Sequence, residues 1–323
     1  MARRRWGWWL AGGIVAVMVV YLAVGTWFVH QVLNRLLVVG NVADLASEGM
    51  APSTDPYELS FRGDPQAAFQ LPFETVSVPT ALGPAEAWLI PPAGAAKDTW
   101  AVFIHGIGGV REGGYRYVPE LHAAGYPVLM ITYRNDRGAP PSDEGIYAFG
   151  LTEWPDIDAA IDFATGRGAA DILLIGDSMG GALVGQFLGH SQKTDRLRGI
   201  ILDSPALDYP MVVSTIVQQL GWPFAPVLAT LGTMTFAAEH GVAMSEAHSI
   251  EAVAAYQGPL LIVHGAGDSI VPISITDRLV AQRQGVTTRL RTRADHLASR
   301  QENPALYDWT LRTFLASLDE APR

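Results

Sequence analysis

Apolar residues follow two distinct patterns along this chain, and the first is one long run near the N-terminus. Residues 6–29 read WGWWLAGGIVAVMVVYLAVGTWFV, without a charged side chain. At about 1.5 Å per residue, such a helix is long enough to cross the hydrocarbon core of a bilayer. Aromatic residues near both ends of the run are typical of the two membrane interfaces. The pattern therefore predicts a transmembrane helix over residues 6–29.

The charge before this run predicts its orientation. Arg3, Arg4 and Arg5 precede it directly, and clusters of positive charge stay on the cytoplasmic side of a membrane. We therefore expect residues 1–5 to be a cytoplasmic tail, and the rest of a single-pass cell-membrane protein to lie outside the cytoplasm. Two alternatives are a cleaved signal peptide, whose apolar region is usually shorter, and a buried core helix.

The second pattern begins near residue 71, where short apolar runs alternate with helical patterns. This alternation is typical of the α/β class, with a mostly parallel central sheet and helices on both faces. Strands are predicted at residues 75–78, 86–90, 100–105, 127–133, 172–176, 199–203, 260–264 and 288–292, and helices at 118–124, 153–165, 180–189, 275–283 and 305–318. The first two strands are expected to pair antiparallel through a turn around Gly83 and Pro84. Residues 30–70, interrupted by prolines and glycines, are predicted to be a linker to a domain over residues 71–323.

One stretch of this domain departs from the alternation. Residues 207–255 contain apolar helical patterns but no clear strand. An insertion after a strand would cover the strand ends, where pockets of such sheets lie, and we therefore expect a small helical lid. The alternative is a pair of ordinary packing helices. A second membrane span is not expected, because Gly221, Pro223 and Pro226 interrupt the run.

Composition and charge narrow the possible functions. The chain has 323 residues, of which 49% are hydrophobic, and a formal net charge of −10 from 22 basic and 32 acidic residues. Such a chain can build a large core, and its acidity makes nucleic acid an unlikely partner. The sequence has no cysteine, which excludes thiol catalysis, disulfides and thiolate metal sites. His248 and His264 could be considered metal ligands, but neither has a neighbour at a metal-ligand spacing, so no metal site is expected. No other cofactor is expected either.

The clearest chemical signal is the sequence Gly176-Asp177-Ser178-Met179-Gly180, which matches G-x-S-x-G. It lies between a predicted strand and a predicted helix, and a sharp turn at that place holds the central serine at strained backbone angles. The two glycines leave room for the turn. The helix that follows directs backbone N–H groups toward developing negative charge. Ser178 is therefore the candidate nucleophile.

With this motif, the chain resembles the alpha/beta-hydrolase fold family of serine hydrolases. The resemblance covers about residues 70–318 and rests on four motifs that occur in the family's order. The second motif is the run HGIGG at residues 105–109, directly after a strand. The resemblance implies that the backbone N–H of Ile107 is one donor of an oxyanion hole and that of Met179 the other. His105 precedes the serine, and is expected to be a packing and hydrogen-bonding residue of the loop.

The other two motifs concern the acid and the base. Asp268, in the run HGAGDSIVP at residues 264–272, lies where the family places its acid, and the resemblance implies that it holds the imidazole in register. Asp203, at the end of an earlier strand, is the alternative acid. His296 follows the last strand, so that the family's order of nucleophile, acid and base implies that it is the base.

Several polar residues remain without an assigned role. Asp177 precedes the serine, where the family often has a bulky residue, and is expected either to shape the pocket or to face a neighbouring strand. Residues 134–136 form an ion-rich loop that either binds a polar substrate group or bonds to itself. One face of a predicted helix carries Glu153, Asp156, Asp158 and Asp162, which we expect to be solvated.

Taken together, these features predict a membrane-anchored serine hydrolase. A carboxylic ester or thioester is the expected substrate, because an anchor and an apolar lid suit acyl chains. A serine peptidase of prolyl oligopeptidase-like or aminopeptidase type, acting on short peptides, is the alternative within this fold. A non-catalytic, membrane-tethered binding scaffold is the alternative from another class. The oligomeric state has no signal in the sequence.

Overall fold

A computed structural model describes the backbone of residues 2–41 and 53–320 and the side chains of residues 8–41 and 53–320. Residue 1 of the expected tail, residues 42–52 of the expected linker and residues 321–323 of the expected domain lie outside the described residues.

An eight-stranded sheet forms the centre of the domain, in the order β1-β2-β4-β3-β5-β6-β7-β8. Its strands are β1 Glu74–Thr80, β2 Gly83–Ile90, β3 Thr99–Ile104, β4 Val128–Ile131, β5 Asp171–Asp177, β6 Leu197–Asp203, β7 Leu260–Gly265 and β8 Thr287–Thr292. The strand β2 pairs antiparallel with both β1 and β4, and every other pairing is parallel. The eight predicted strands and the antiparallel start are thus confirmed.

The inner strands β3, β4, β5 and β7 are buried on both faces, which explains their largely apolar sequences. In β5, Ile172 and Leu174 lie in one core, while Leu173 and Ile175 lie in the core on the opposite face. Parallel pairing also brings the carboxyl ends of β3, β5, β6 and β7 to one edge of the sheet. Loops that follow these strands therefore meet at that edge.

Eleven α-helices lie in the described part of the chain. They are α1 Ala2–Leu37, α2 Pro65–Phe69, α3 Val118–Ala123, α4 Trp154–Gly166, α5 Met179–His190, α6 Tyr209–Gln219, α7 Ala225–His240, α8 Ile250–Ala255, α9 Ser274–Gln282, α10 Ser299–Glu302 and α11 Pro304–Glu320. Residues of α3 and α11 pack in one core, and residues of α4, α5 and α9 in the other. The five predicted helices are confirmed to within two residues at either end.

The N-terminal helix is longer than expected. It does not end at residue 29 but continues to Leu37, through the first part of the predicted linker. Val29, Leu33 and Leu37 are 1%, 3% and 3% exposed, since these residues, one helical turn apart, face the domain. Residues from Trp8 to Trp27 are mostly exposed. In the described residues, α1 is the one helix long and apolar enough to cross a membrane.

The expected lid region contains α6, α7 and α8, joined by short loops. The helix α7 lies alongside α1 at very close range, because glycines occupy two contact positions. Gly25 of α1 faces Leu228, and Gly232 of α7 faces Val29. A β-carbon on Gly232 would lie 2.4 Å from Val29 Cγ1. Polar contacts join the same helices, including a 3.0 Å hydrogen bond between His240 Nε2 and Asn34 Oδ1.

Replacing Gly232 with alanine tests whether this close approach stabilises the fold. Helix propensity alone favours Ala over Gly by about 1 kcal/mol, but the added carbon would overlap the stiff, branched Val29. We expect Gly232→Ala to lower the thermal midpoint of the detergent-solubilised full chain, measured by tryptophan fluorescence. Gly189→Ala in α5 is the control, because its β-carbon would meet Ala252 at an ordinary 3.7 Å. Equal stabilisation by both substitutions would contradict the close packing.

Candidate active site

Ser178 lies in the turn between β5 and α5, at the edge of the sheet where the parallel strands end. Its backbone has φ 51° and ψ −118°, a region that residues with a side chain rarely adopt. The flanking glycines are required sterically. A β-carbon on Gly180 would lie 2.2 Å from the carbonyl oxygen of Ile104, and one on Gly176 would lie 2.8 Å from that of Gly180. The turn therefore depends on both glycines.

Three of the predicted side chains form one hydrogen-bonded chain. His296 Nε2 lies 2.9 Å from Ser178 Oγ, and His296 Nδ1 lies 2.8 Å from Asp268 Oδ2. Asp268 follows β7, and His296 lies in the loop between β8 and α10. The sheet thus brings together residues that are 118 and 28 positions apart in sequence. The arrangement can transfer a proton from the hydroxyl to the imidazole and stabilise the resulting imidazolium.

Asp268 is held by four hydrogen-bond donors. The amide N–H groups of Ile270 and Val271 donate to Oδ1 at 2.9 and 2.7 Å. On Oδ2, His264 Nε2 lies at 3.2 Å, beside the bond to His296. Burial alone would raise the pKa of Asp268, but the hydrogen bonds from His264, His296 and Val271 together hold it well below its ordinary value. Asp268 is therefore a stable carboxylate facing the imidazole.

The role of His264 was not predicted from the sequence. Its ring is 1% exposed, and its second nitrogen, Nδ1, lies 2.9 Å from Thr276 Oγ1 in α9. The imidazole therefore links α9 to the carboxylate of Asp268. The spacing of four residues between His264 and Asp268, across the end of β7, was the available signal.

The loop after β3 packs directly against Ser178. A β-carbon on Gly106 would lie 3.0 Å from Ser178 Cβ, so any larger residue here would crowd the serine. Ile107 and Met179 both border the same cavity as Ser178. In the described part of the chain, neither of their amide N–H groups has a hydrogen-bond acceptor. Both are thus free to donate to an oxygen bound beside the serine, as the sequence resemblance implies.

Asp203, the alternative acid, lies in a different environment. Its carboxylate accepts hydrogen bonds from Tyr307 Oη at 3.2 Å and from Arg116 Nη1 at 3.5 Å. Among the described contacts of Asp203, none is with His296. Burial raises its pKa, which the charge of Arg116 partly offsets. The structure therefore brings Asp268, and not Asp203, to the imidazole.

Asp177 belongs to the same buried cluster as Asp203. Besides bordering the pocket, its carboxylate pairs with residues of this cluster. Tyr117 Oη donates to it at 2.6 Å, and Arg116 Nη2 lies 3.7 Å from it. Burial and the negative charge of Asp203 raise the pKa of Asp177, while the positive charge of Arg116 lowers it. Together they bring this pKa to about 7. Arg116 also donates to the carbonyl oxygen of Leu297, next to His296. Arg116 and Tyr117 were missed in the sequence, because they lie in a short 3-10 helix (Arg111–Arg116) and just after it, without a motif.

The ion-rich loop of residues 134–136 mainly bonds within the protein. Asp136 accepts from the buried His105 at 2.9 Å, and Arg134 forms paired hydrogen bonds with Asp156. Burial lowers the pKa of His105, but the charge and hydrogen bond of Asp136 raise it above its ordinary value overall. His105 is therefore a packing and hydrogen-bonding residue of the loop, as expected.

The expectation of a solvated acidic face on α4 was wrong for two of its four residues. Glu153 and Asp156 are 0% and 2% exposed. Glu153 accepts from the amide N–H groups of Ala148 and Gly150, at 2.5 and 2.9 Å. These carboxylates are buried because they satisfy backbone donors and Arg134, which the charge pattern alone does not reveal.

Ser178 lies between two cavities of different character. The larger has a volume of about 510 Å³ and borders Ser178, Met179 and Ile107. Its walls are almost wholly apolar, and α6 of the lid supplies Val212, Val213, Ile216 and Val217. The smaller, of about 240 Å³, borders Ser178, His296 and the loop of residues 105–110. This geometry suits an apolar group on one side of the serine and a departing group on the other.

Comparison with known families matches most of the domain. The model of the prolyl oligopeptidase family matches residues 115–316, a range that includes Ser178, Asp268 and His296 but not Ile107. An uncharacterized protein of Mycobacterium tuberculosis is 25% identical over 203 residues, covering 60% of this chain and 61% of that protein. The uncharacterized protein YfhR of Salmonella typhimurium is 26% identical over 210 residues, covering 60% and 63%. The chain thus spans about three fifths of the length of these curated relatives.

Solved structures share the fold. An esterase of Pyrococcus furiosus aligns with a TM-score of 0.62 and 18% identity, covering 84% of this chain and 99% of that one. Est1E of Butyrivibrio proteoclasticus, solved with ferulic acid bound, aligns with a TM-score of 0.60 and 18% identity, covering 76% and 100%. The alpha/beta-hydrolase fold and the helices around its sheet, expected from the sequence, are confirmed. At this level of identity the similarity concerns the fold alone.

The raised pKa of Asp177 predicts a pH dependence of stability. Between its ordinary value of 3.8 and about 7, the folded chain binds more protons at this carboxyl than the unfolded chain. Stability should therefore fall as the pH rises through that window. Asp177→Asn keeps an acceptor for Tyr117. We expect the thermal midpoint of this variant to fall less than that of wild type when the pH is raised from about 5 to about 8. Asp143→Asn, at an exposed loop position, is the matched control. An unchanged slope in Asp177→Asn would show that Asp177 does not titrate there.

Proposed function

The chain belongs to the prolyl oligopeptidase family, and from this premise we propose that it is a serine hydrolase that cleaves carboxylic esters or thioesters of apolar acyl groups. The observation that carries the proposal is the hydrogen-bonded chain from Asp268 through His296 to Ser178, which ends at a large apolar cavity. Family membership makes it an alpha/beta hydrolase. The serine mechanism with its three catalytic residues, the bond type, the substrate and the membrane attachment are the parts that we propose.

The first half of the proposed reaction forms an acyl-enzyme. Ser178 Oγ attacks the carbonyl carbon, and His296 Nε2 accepts the hydroxyl proton. The carbonyl oxygen becomes negatively charged and accepts hydrogen bonds from the amide N–H groups of Ile107 and Met179. His296 then donates the proton to the leaving alcohol or thiol, whose bond to the carbonyl carbon breaks. Asp268 stabilises the imidazolium between these two transfers.

The second half repeats these steps with water. His296 accepts a proton from the water molecule that attacks the acyl carbon, and returns it to Ser178 Oγ as the acyl bond breaks. The acid is released and the free serine is restored. The two fixed amide donors stabilise the oxyanion and lower the activation free energy by several kcal/mol, roughly 3 kcal/mol for each donor.

The lining of the larger cavity favours an acyl group over a peptide. Among the described residues that border it, none carries a formal charge, and the polar side chains are Ser178, Tyr209, Gln219 and Ser269. A peptidase that recognises a terminal amine or carboxylate needs an opposite charge in its pocket. An apolar pocket instead matches a hydrocarbon chain, whose burial contributes about 0.8 kcal/mol per methylene. A short-peptide substrate remains the alternative because of the family match.

Membrane attachment is proposed from α1. Trp8, Ile14 and Val20 are 77%, 66% and 62% exposed, and such an apolar surface is stable in lipid but costly in water. The three arginines at residues 3–5 would hold the N-terminus in the cytoplasm and place the catalytic domain outside it. We accordingly propose an uncleaved, single-pass anchor in the cell membrane.

Labelling with a fluorophosphonate tests the proposed nucleophile. Wild-type protein in detergent should react, whereas Ser178→Ala should not, because the variant lacks the hydroxyl that lies 2.9 Å from His296 Nε2. In parallel, wild type should hydrolyse acyl p-nitrophenyl esters with higher kcat/KM than peptide p-nitroanilides. Folded wild type that neither reacts nor hydrolyses would support a binding scaffold, and a preference for the anilides would support a peptidase.

Paired substitutions distinguish the two candidate acids. Asp268→Asn should lower kcat for esters by roughly a thousandfold or more, since the amide stabilises neither the required tautomer nor the imidazolium. Asp203→Asn should lower it less than about tenfold, because that carboxylate contacts Arg116 and not His296. Steady-state kinetics of both variants, with thermal midpoints to confirm folding, gives the comparison. The reverse order of effects would assign the acid to Asp203.

A further inference from the structure

The N-terminal helix forms a wall of the cavity at Ser178. Two adjacent ridges of α1 border this cavity, and the residues within each ridge are four positions apart. One ridge consists of Phe28, Val32 and Leu36, and the other of Val29, Leu33 and Leu37. The lid helix α6 also borders the cavity, through the valines and isoleucine already described. Ser178 and Met179 border the same cavity. A group bound in this cavity therefore contacts the anchor helix and the nucleophile at once.

Contacts along α1 fix this wall in place. The glycine contacts between α1 and α7 lie within a turn of the lining residues, at Gly25 and Val29. Phe28 packs against Trp222 in the α6–α7 loop, with ring centroids 4.7 Å apart. Asn34 and His30 add hydrogen bonds to His240 and Thr235 of α7. The wall is thus a packed element of the domain, and not a tether that merely passes near it.

The loop between α6 and α7, together with the first turn of α7, exposes apolar side chains next to the proposed membrane span. Leu220, Phe224 and Val227 are 45%, 55% and 46% exposed. Phe224 and Pro223 border an apolar groove on α1 between Trp9 and Tyr21, and Tyr21 Oη donates to the carbonyl oxygen of Pro223 at 2.6 Å. Leu220 also lines the cavity at Ser178. The apolar surface of the span is therefore adjacent to the rim of the cavity.

A lipid bilayer is the environment that matches this arrangement of exposed apolar side chains beside the cavity. Exposed apolar side chains on a loop that packs against a membrane-spanning segment lie at the depth of the lipid, where their burial is favourable. An acyl chain is the bilayer component whose shape and polarity fit an uncharged cavity of about 510 Å³. A water-soluble ester would need neither the exposed loop nor the helix wall.

We propose that the substrate is a membrane lipid ester, whose acyl chain enters from the bilayer beside the α6–α7 loop and lies against Val32 and Leu36 of α1 during catalysis. The inference rests on the proposed function and adds to it the substrate class and a specificity role for the anchor. In this role α1 determines which acyl chains fit, and the smaller cavity receives the leaving alcohol.

Val32→Trp tests the wall directly, because Val32 is central among the lining residues of α1. The larger side chain should exclude long chains more than short ones, lowering the ratio of kcat/KM for palmitate over butyrate p-nitrophenyl esters by roughly tenfold or more. Val24→Trp makes the same change two turns earlier, at a position 57% exposed, and should keep the ratio within about twofold. Val32→Ala should move the ratio in the opposite direction, and decides the question if the tryptophan variant does not fold.

The outcomes separate the inference from the function on which it rests. An active wild type whose ratio is unchanged in Val32→Trp and in Val32→Ala would overturn the inference alone. A folded wild type inert toward both esters and the fluorophosphonate would overturn the proposed function, and the inference with it. Equal changes of the ratio in Val32→Trp and Val24→Trp would attribute the effect to the membrane span in general. This result would also overturn the proposed specificity role of the α1 wall.

Entry from the bilayer has its own test with a lipid substrate. Monopalmitoylglycerol is supplied either in phosphatidylcholine vesicles or dispersed in detergent. Phe224→Asp should lower hydrolysis severalfold in vesicles relative to detergent, because the charge opposes insertion of the loop. Val286→Asp, at an apolar residue 71% exposed elsewhere on the domain, should leave that relation unchanged. Equal rates for Phe224→Asp and wild type in vesicles would contradict entry beside this loop.

Discussion

The sharp turn at Ser178 is the constraint on which the rest of the site depends. A residue at φ 51° costs about 1–3 kcal/mol, and its neighbours hold it there. The Ser178 amide donates to the carbonyl oxygen of Asp203, and the Ser178 carbonyl accepts from Ala206, both at 2.9 Å. On the other side, Gly180 lies against the end of β3. The turn is thus fixed between β3 and β6. That fixed position places the hydroxyl beside His296 and the start of α5 beside Ile107.

The buried carboxylates differ in what they can do because their partners differ. Asp268 receives two amide N–H groups and two imidazoles, so that it stays ionised and faces His296. Asp177 and Asp203 share one guanidinium, that of Arg116, and burial raises the pKa of both. Among the described residues, neither of these two carboxylates forms a hydrogen bond with His296. They instead connect β5 and β6 to the segment of Arg116, which in turn donates to Leu297 beside the imidazole. This network supports the position of the His296 loop.

Much of the fold and the central site residues could be predicted from the sequence, because both have local signals. An apolar run between turn residues marks a strand buried on both faces, and Ser178 and Asp268 each lie in a short motif after such a strand, while His296 lies in a short motif after the last strand. Residues whose role depends on distant partners had no local signal. Arg116, Tyr117 and His264 acquire their roles only when the sheet is assembled. Glu153 and Asp156 have the spacing of a solvated helix face, yet their partners are amides and an arginine of other loops. The continuation of α1 to Leu37 was missed because its packing on the domain, and not its sequence, stabilises it.

The helices α1 and α6 border one apolar cavity, and α1 also packs against α7. The proposed membrane attachment would therefore be linked to the proposed catalysis through direct contacts and not through tethering alone. The central claim is nevertheless chemical: Ser178 carries the acyl group between its two transfers. Quenching a turnover of a palmitate ester in acid, followed by mass spectrometry of the peptide that contains Ser178, tests it most directly. The account predicts that this peptide gains the mass of a palmitoyl group, and that the gain disappears as the substrate is consumed. Release of palmitate during steady turnover, with no acyl group on Ser178 or with one on another residue, would contradict it.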